Sequence, residues 1–162
     1  MSKLQLSVAI GDYDRNRPLI DGRCGIDGVD PVVMTLTPEE MFYRAMRHEA
    51  FDICELSLSS HTLRTARGDC PYVGVPAFVS RAFRHTSIIV RSDSGIRTPA
   101  DLRGRKVGIP EWQLTAIVWM RAILQDEYGD TPTDIDWVSG GLKEPGRDEN
   151  NINPQHDHHH QT

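Results

Sequence analysis

The sequence predicts an α/β fold, a parallel or mixed sheet with flanking helices. Short alternating or β-branched runs such as LQLSVAIG and PVVMTL recur along the chain, and amphipathic stretches with capping residues lie between them. That alternation is the signature of a parallel, layered sheet. Size agrees, since 162 residues with 38% apolar and 25% charged content suit one ordinary domain, or one small lobe plus part of another.

LQLSVAIG stops at Gly11, giving a first strand followed by the loop GDYDRNRPLIDG. PVVMTL is the second strand and leads into the helix TPEEMFYRAMRHEA. There Thr37 suits the cap, Pro38 the first turn and Glu40 the capping-box position, and Met41, Phe42, Ala45 and Met46 form one apolar face. FDICEL reads as a short third strand, and SSHTLRTARGD as a helix starting at Ser59 or Ser60 and ending near Gly68. YVGVPAFV and TSIIVRS read as further strands, the second apolar on both faces and therefore central.

From Ser94 the rhythm restarts with a short helix capped by Thr98, the strand KVGIP, a long helix through WQLTAIVWMRAILQDEYG and a last strand, DIDWVSGG. Ala116, Met120, Ile123 and Leu124 recur at helical spacing, with Ile117, Trp119 and Tyr128 widening the stripe. The expected division is a first α/β lobe over 1–93, a partial second lobe over 94–147, and a disordered polar tail over 148–162 that carries four of the seven histidines. Two strands and one long helix do not cover both faces of a parallel sheet. Exposed apolar surface is therefore expected on the Trp112–Tyr128 helix, with homo-oligomerisation or aggregation as its outlet.

The formal charge of −5, without a clustered basic face, excludes a general nucleic-acid binder; an anionic ligand would be small and locally held. MSKLQLSVAIGDYDR lacks the features of a signal peptide, and no stretch is long enough to span a bilayer, so a cytoplasmic location with no membrane partner is expected. Cys24, Cys54 and Cys70 are odd in number and lack metal-ligand spacing, and read as free thiols, Cys54 as a buried small apolar residue. Nucleotide and flavin loops are absent, and no cofactor is expected.

One segment resists a purely structural reading. In VSRAFRHTSIIV, residues 79–90, Arg81, Arg84 and His85 stand between apolar runs, where buried cations need partners or an anionic ligand. In an extended segment Arg81 and His85 share a face while Arg84 points the other way.

Seven stretches together resemble the 4,5-dihydroxyphthalate decarboxylase family: GDYDR at 11–15, ELSLSS at 55–60, RGDCPY at 67–72, SRAFRH at 80–85, DLRGRKVGIPE at 101–111, ILQDEYG at 123–129 and EPGR at 144–147. The resemblance implies the type II periplasmic-binding-protein-like fold, with a first lobe and an incomplete second one. It runs to about Glu149, and family members continue beyond, so the chain reads as the N-terminal part of a longer enzyme. The implied activity is non-oxidative decarboxylation of a dihydroxylated aromatic dicarboxylate, of the 4,5-dihydroxyphthalate to protocatechuate type. A non-catalytic binding protein for a small aromatic carboxylate is the alternative, and a truncated chain that does neither is the third reading.

On this reading the candidate site gathers at the C-terminal edge of the first sheet. His85 is the candidate acid, because an imidazole titrates near neutral pH. Asp12 or Glu55 holds the hydroxyls or acts as base. Arg81 and Arg84 offer planar forks for carboxylates, while Tyr13, Ser57, Ser59, Glu111 and Thr115 complete the substrate-binding set, the last two opening the long helix where free N–H groups favour an anion. Each has an ordinary reading beside it: Asp12 and Asp14 as turn caps, Ser57, Ser59 and Ser60 as helix caps, Glu55 as a solvent-facing strand end, His48 and His61 as surface residues. Asp12, Glu55, His85 and Glu111 have no ligand spacing, and no metal is expected.

Overall fold

The computed structural model describes residues 2–141, so EPGR and the polar tail lie outside the described residues. The chain divides into two compact units, Met1–Ala82 and a second beginning at Phe83.

The first unit is built on β1 (Leu4–Ile10), whose second half, Val8, Ala9 and Ile10, is buried. β2 (Val29–Thr35) pairs with it in parallel from Leu4 opposite Val29 to Ile10 opposite Thr35, and β3 (Ile53–Cys54) pairs in parallel on its other side, against Val8 and Ala9. The order is β2-β1-β3. Ser7 fastens the approach to β3, its N–H and hydroxyl donating to the Asp52 carboxylate at 2.8 and 2.6 Å.

Between β2 and β3 runs α2 (Pro38–His48). Thr37 caps it, its hydroxyl accepting from the Glu40 N–H at 3.4 Å, while the Glu40 carboxylate pairs with Arg44 one turn on. Met41 and Ala45 are fully buried against Ala9 and Phe51, with Phe42 packed alongside, as the apolar spacing predicts. The helix ends at Glu49, which adopts the left-handed conformation usually left to glycine (φ 49°). The helix α3 (Leu58–Arg67) starts one residue before the expected range, with Ser57 at its N-cap, and stops at Gly68 (φ 76°). The loop after β1 holds one short helix, α1 (Arg17–Ile20), which the sequence pattern does not reveal.

In the second unit β4 (Lys106–Ile109) and β5 (Asp136–Ser139) pair in parallel, joined through α4 (Thr115–Tyr128). Ile117, Met120 and Leu124 of α4 pack with Leu102, Ile109, Ile135 and Trp137. Trp137 donates its indole N–H to the Pro132 carbonyl at 2.8 Å and meets Trp112 edge-on, and the Arg121 guanidinium lies 3.6 Å from the Trp112 ring centre. A 3₁₀ turn, Pro99–Leu102, carries the full capping box of Thr98 and Asp101. Trp119 and Tyr128 remain about half exposed, as the apolar breadth of α4 predicts.

Two expected strands are absent. YVGVPAFV contains no regular element, and TSIIVRS opens in a 3₁₀ turn, His85–Ser87, and forms no strand after it. Val73, Phe83 and Ile89 are 93, 86 and 90% exposed. An apolar, β-branched run specifies a strand only where a neighbour offers its N–H and C=O groups, and among the described residues no strand pairs with either run. The expected alternation that would place Arg81 and His85 on one face falls with them. No described helix is long and apolar enough to cross a membrane.

Candidate functional site

The sheet order places a reversal at the end of β1: the chain leaves β1 for β2 on one side and returns to β3 on the other. Loops at the C-terminal ends of strands diverge at such a point, which is where open α/β sheets take their ligands. Glu55 stands at that position directly after β3, its N–H continuing the ladder to the Ala9 carbonyl at 3.0 Å.

Glu55 is 8% exposed, which removes its reading as a solvent-facing strand end. Its Oε2 accepts the Gly11 N–H and its Oε1 accepts the Tyr13 hydroxyl, each at 3.2 Å. Among the described residues no cation pairs with it, so a buried carboxylate is held by neutral donors alone. The loop that supplies those donors is itself fixed by Asn16, a buried residue whose side-chain amide donates to the Gly11 carbonyl at 2.9 Å. Tyr13 lies so close over Gly11 that a Cβ there would stand 2.5 Å from its ring carbons Cε2 and Cζ.

Asp12 turns away from this group. It is exposed and paired with Arg17 at 2.5 Å. Ser57 is buried at the N-cap of α3, and its hydroxyl lies 3.2 Å from that of Ser59 rather than on the helix N–H groups. Arg81 belongs to the first unit, is exposed, and donates from Nε to the Phe78 carbonyl at 3.0 Å. His61 departs from expectation: it is partly buried and its ring packs against Gly74, while His48 is exposed as expected.

The other candidates lie in the second unit. Arg84 is half-buried before the 3₁₀ turn, and His85, 48% exposed, is paired through Nε2 with Glu127 of α4 at 3.2 Å. His85 also edges an apolar hollow of about 190 Å³ lined by Ile88, Ile96, Leu102, Leu124 and Tyr128. Glu111, after β4, is 1% exposed and accepts the Gln113 side-chain amide at 3.3 Å; Thr115 is the first residue of α4. Among the described residues no group of three or more His, Cys, Asp and Glu is placed to hold a metal ion.

The structure thus brings together Tyr13 and Glu55, and separately Ser57 and Ser59, from the expected set. Sequence reasoning missed the Gly11 N–H, Asn16 and Glu127. Only Asn16 carries a signal beforehand, as an amide in a tight Gly-Asp loop that can satisfy a turn carbonyl. Burial pushes the Cys54 thiol up to about 11 and the Tyr72 hydroxyl up to about 12, so neither behind the β3 end is a nucleophile near neutral pH.

Comparison with known proteins is consistent with the seven motifs. The chain is 60% identical to a protein named 4,5-dihydroxyphthalate decarboxylase from Comamonas testosteroni over 147 residues, 91% of this chain and 44% of that protein. It is 56% identical to one of the same name from Pseudomonas putida over 147 residues, 57% of that protein. The chain spans about half the length of these curated relatives. The family model described as NMT1/THI5 like matches residues 43–144, well over half of the chain, and the chain belongs to that family.

Proposed function

We propose that this chain takes part in the non-oxidative decarboxylation of a dihydroxylated aromatic dicarboxylate, 4,5-dihydroxyphthalate or a close analogue. The observation that carries the reading is the 60% identity to a protein of that name across 91% of the chain. The first α/β lobe and an incomplete second lobe of a type II periplasmic-binding-protein-like fold are proposed as its architecture.

The chemistry asks little of the protein. In 4,5-dihydroxyphthalate each hydroxyl lies para to one carboxylate. Loss of a phenolic proton pushes electron density to the ring carbon that carries the leaving carboxylate. A proton is added at that carbon, the C–C bond breaks, its electron pair restores the aromatic ring, and carbon dioxide leaves; the second carboxylate stays in the product. Glu55 is the group we assign to the hydroxyl, because it is a buried acceptor without a counter-ion. His85 is the assigned proton donor, Arg81 the anchor of the retained carboxylate, with Arg84, Ser57, Ser59, Glu111 and Thr115 as further substrate contacts.

The test is incubation of the chain with 4,5-dihydroxyphthalate, following carbon dioxide and protocatechuate together. One molecule of each per substrate is expected, with loss of both in Glu55→Gln. Ligand binding without carbon dioxide would leave a binding protein for aromatic carboxylates, and neither binding nor release would end the proposal.

A further inference from the structure

We propose that Tyr13 is an internal stand-in for the ligand: its phenol occupies the hydroxyl-accepting oxygen of Glu55, and a phenolic or catecholic ligand binds by displacing it. The inference rests on the reading of Glu55 as the acceptor of a ligand hydroxyl. It adds how that acceptor is kept when no ligand is bound, and which end of the ligand Glu55 recognises.

Four features carry it. The donor on Glu55 Oε1 is an aromatic hydroxyl, the same functional group that a catechol would present. Glu55 is 8% exposed, and the half-buried Tyr13 ring covers the approach to Oε1, so an incoming hydroxyl reaches that oxygen along the path the phenol now fills. The bond is exchangeable: at 3.2 Å it is longer than the usual hydroxyl–carboxylate bond of roughly 2.5–2.7 Å, and the tyrosine is only half-buried. Finally, the ring can lie where it does only because residue 11 has no side chain, since a Cβ would meet the phenol oxygen at 2.7 Å.

The loop explains why displacement is local. Asn16 holds the Gly11 carbonyl and donates its own N–H to the Tyr13 carbonyl at 2.9 Å, so the backbone stays in place while the ring swings. The Arg15 guanidinium lies 5.0 Å from the Tyr13 ring centre, at the outer side of the range for a cation over a ring. Because Glu55 repels carboxylates and accepts hydroxyls, this end of β3 reads the hydroxyl end of an aromatic hydroxy acid.

The experiment is calorimetric titration of the 162-residue chain with catechol, and with benzoate as the ligand that lacks a hydroxyl. Tyr13→Phe removes the internal competitor and is expected to bind catechol about threefold to tenfold more tightly than the native chain. Benzoate shows no such gain. Gly11→Ala, whose methyl would stand 2.7 Å from the place the phenol oxygen now holds, shuts out a ligand hydroxyl as well as the ring and is expected to weaken catechol binding. Glu55→Gln is expected to weaken catechol binding and to erase the effect of Tyr13→Phe. Unchanged or weaker catechol binding in Tyr13→Phe, tighter binding in Gly11→Ala, or a gain that survives in Glu55→Gln overturns the proposal. Carbon dioxide release with catechol affinity indifferent to Tyr13 overturns displacement alone, whereas the catechol pattern without release overturns the decarboxylase reading alone.

Discussion

Gly11→Ala isolates the contact on which the candidate site depends. The new methyl would stand 2.5 Å from Tyr13 Cε2 and Cζ and 2.7 Å from its oxygen, distances at which a neighbour has to move, and the free end of the ring moves more easily than the backbone. Displacement breaks the Tyr13–Glu55 hydrogen bond, and a bond to a charged acceptor contributes about 1.5–3 kcal/mol. Against that, replacing glycine where the backbone tolerates alanine stabilises by about 0.4–1 kcal/mol through the unfolded chain. The net loss is about 0.5–2.5 kcal/mol, and for a unit the size of Met1–Ala82 the melting midpoint falls by roughly 2–20 °C. The assay is thermal denaturation of Gly11→Ala in the native and Tyr13→Ala backgrounds. Without the ring the substitution is expected to be neutral or mildly stabilising. An equal cost in both backgrounds, or none in the native one, would refute the reasoning.

Three further outcomes follow from the geometry. Glu49→Gly is expected to stabilise the first unit by about 0.5–1 kcal/mol, since glycine adopts the left-handed conformation at the end of α2 without a Cβ penalty; a loss of stability on urea denaturation would contradict this. The Ser7 side-chain and backbone hydrogen bonds hold the Asp52 carboxyl below its ordinary 3.8. A depressed folded-state value contributes stability that is fully present above the unfolded value and lost as pH falls below about 3.8 through the folded one, so Asp52→Asn is expected to flatten the acid limb of the stability profile there. With its thiol pushed from 9.0 up to about 11, Cys54 carries about 100-fold less thiolate near pH 8, and a Cys24→Ser, Cys70→Ser chain is expected to react with a thiol reagent that much more slowly than after unfolding. Equal rates would show that the β3 end is open.

Where local chemistry decides an element, the sequence is readable. β1 stops at its glycine, α2 starts at Thr37-Pro38 and buries Met41 and Ala45, and Thr98 with Asp101 closes a capping box, because caps and helical spacing act within a few residues. YVGVPAFV and TSIIVRS fail for the opposite reason. Their composition suits a strand, but a strand exists only through its neighbours, and composition cannot say whether those neighbours are present. The site shows the same boundary. Tyr13 and Glu55 were readable as candidates from their places after β1 and β3, and the sheet order joins them across 42 residues. Glu55's burial was not readable, because a charged residue at a strand end is usually solvated; nor was the pairing of His85 with Glu127, which depends on how the 3₁₀ turn meets α4.

The most direct measurement is a thermal melt of the native chain and of Glu55→Gln, each with and without millimolar 4,5-dihydroxyphthalate, because a ligand of the folded state raises stability by RT ln(1 + [L]/Kd), about 2.7 kcal/mol at 100 times Kd. An upward shift in the native chain that is largely lost in Glu55→Gln is the expected result. Equal shifts in both chains, or a native melt that ignores the ligand, would contradict the assignment of Glu55 as the carboxylate that receives the substrate's hydroxyl.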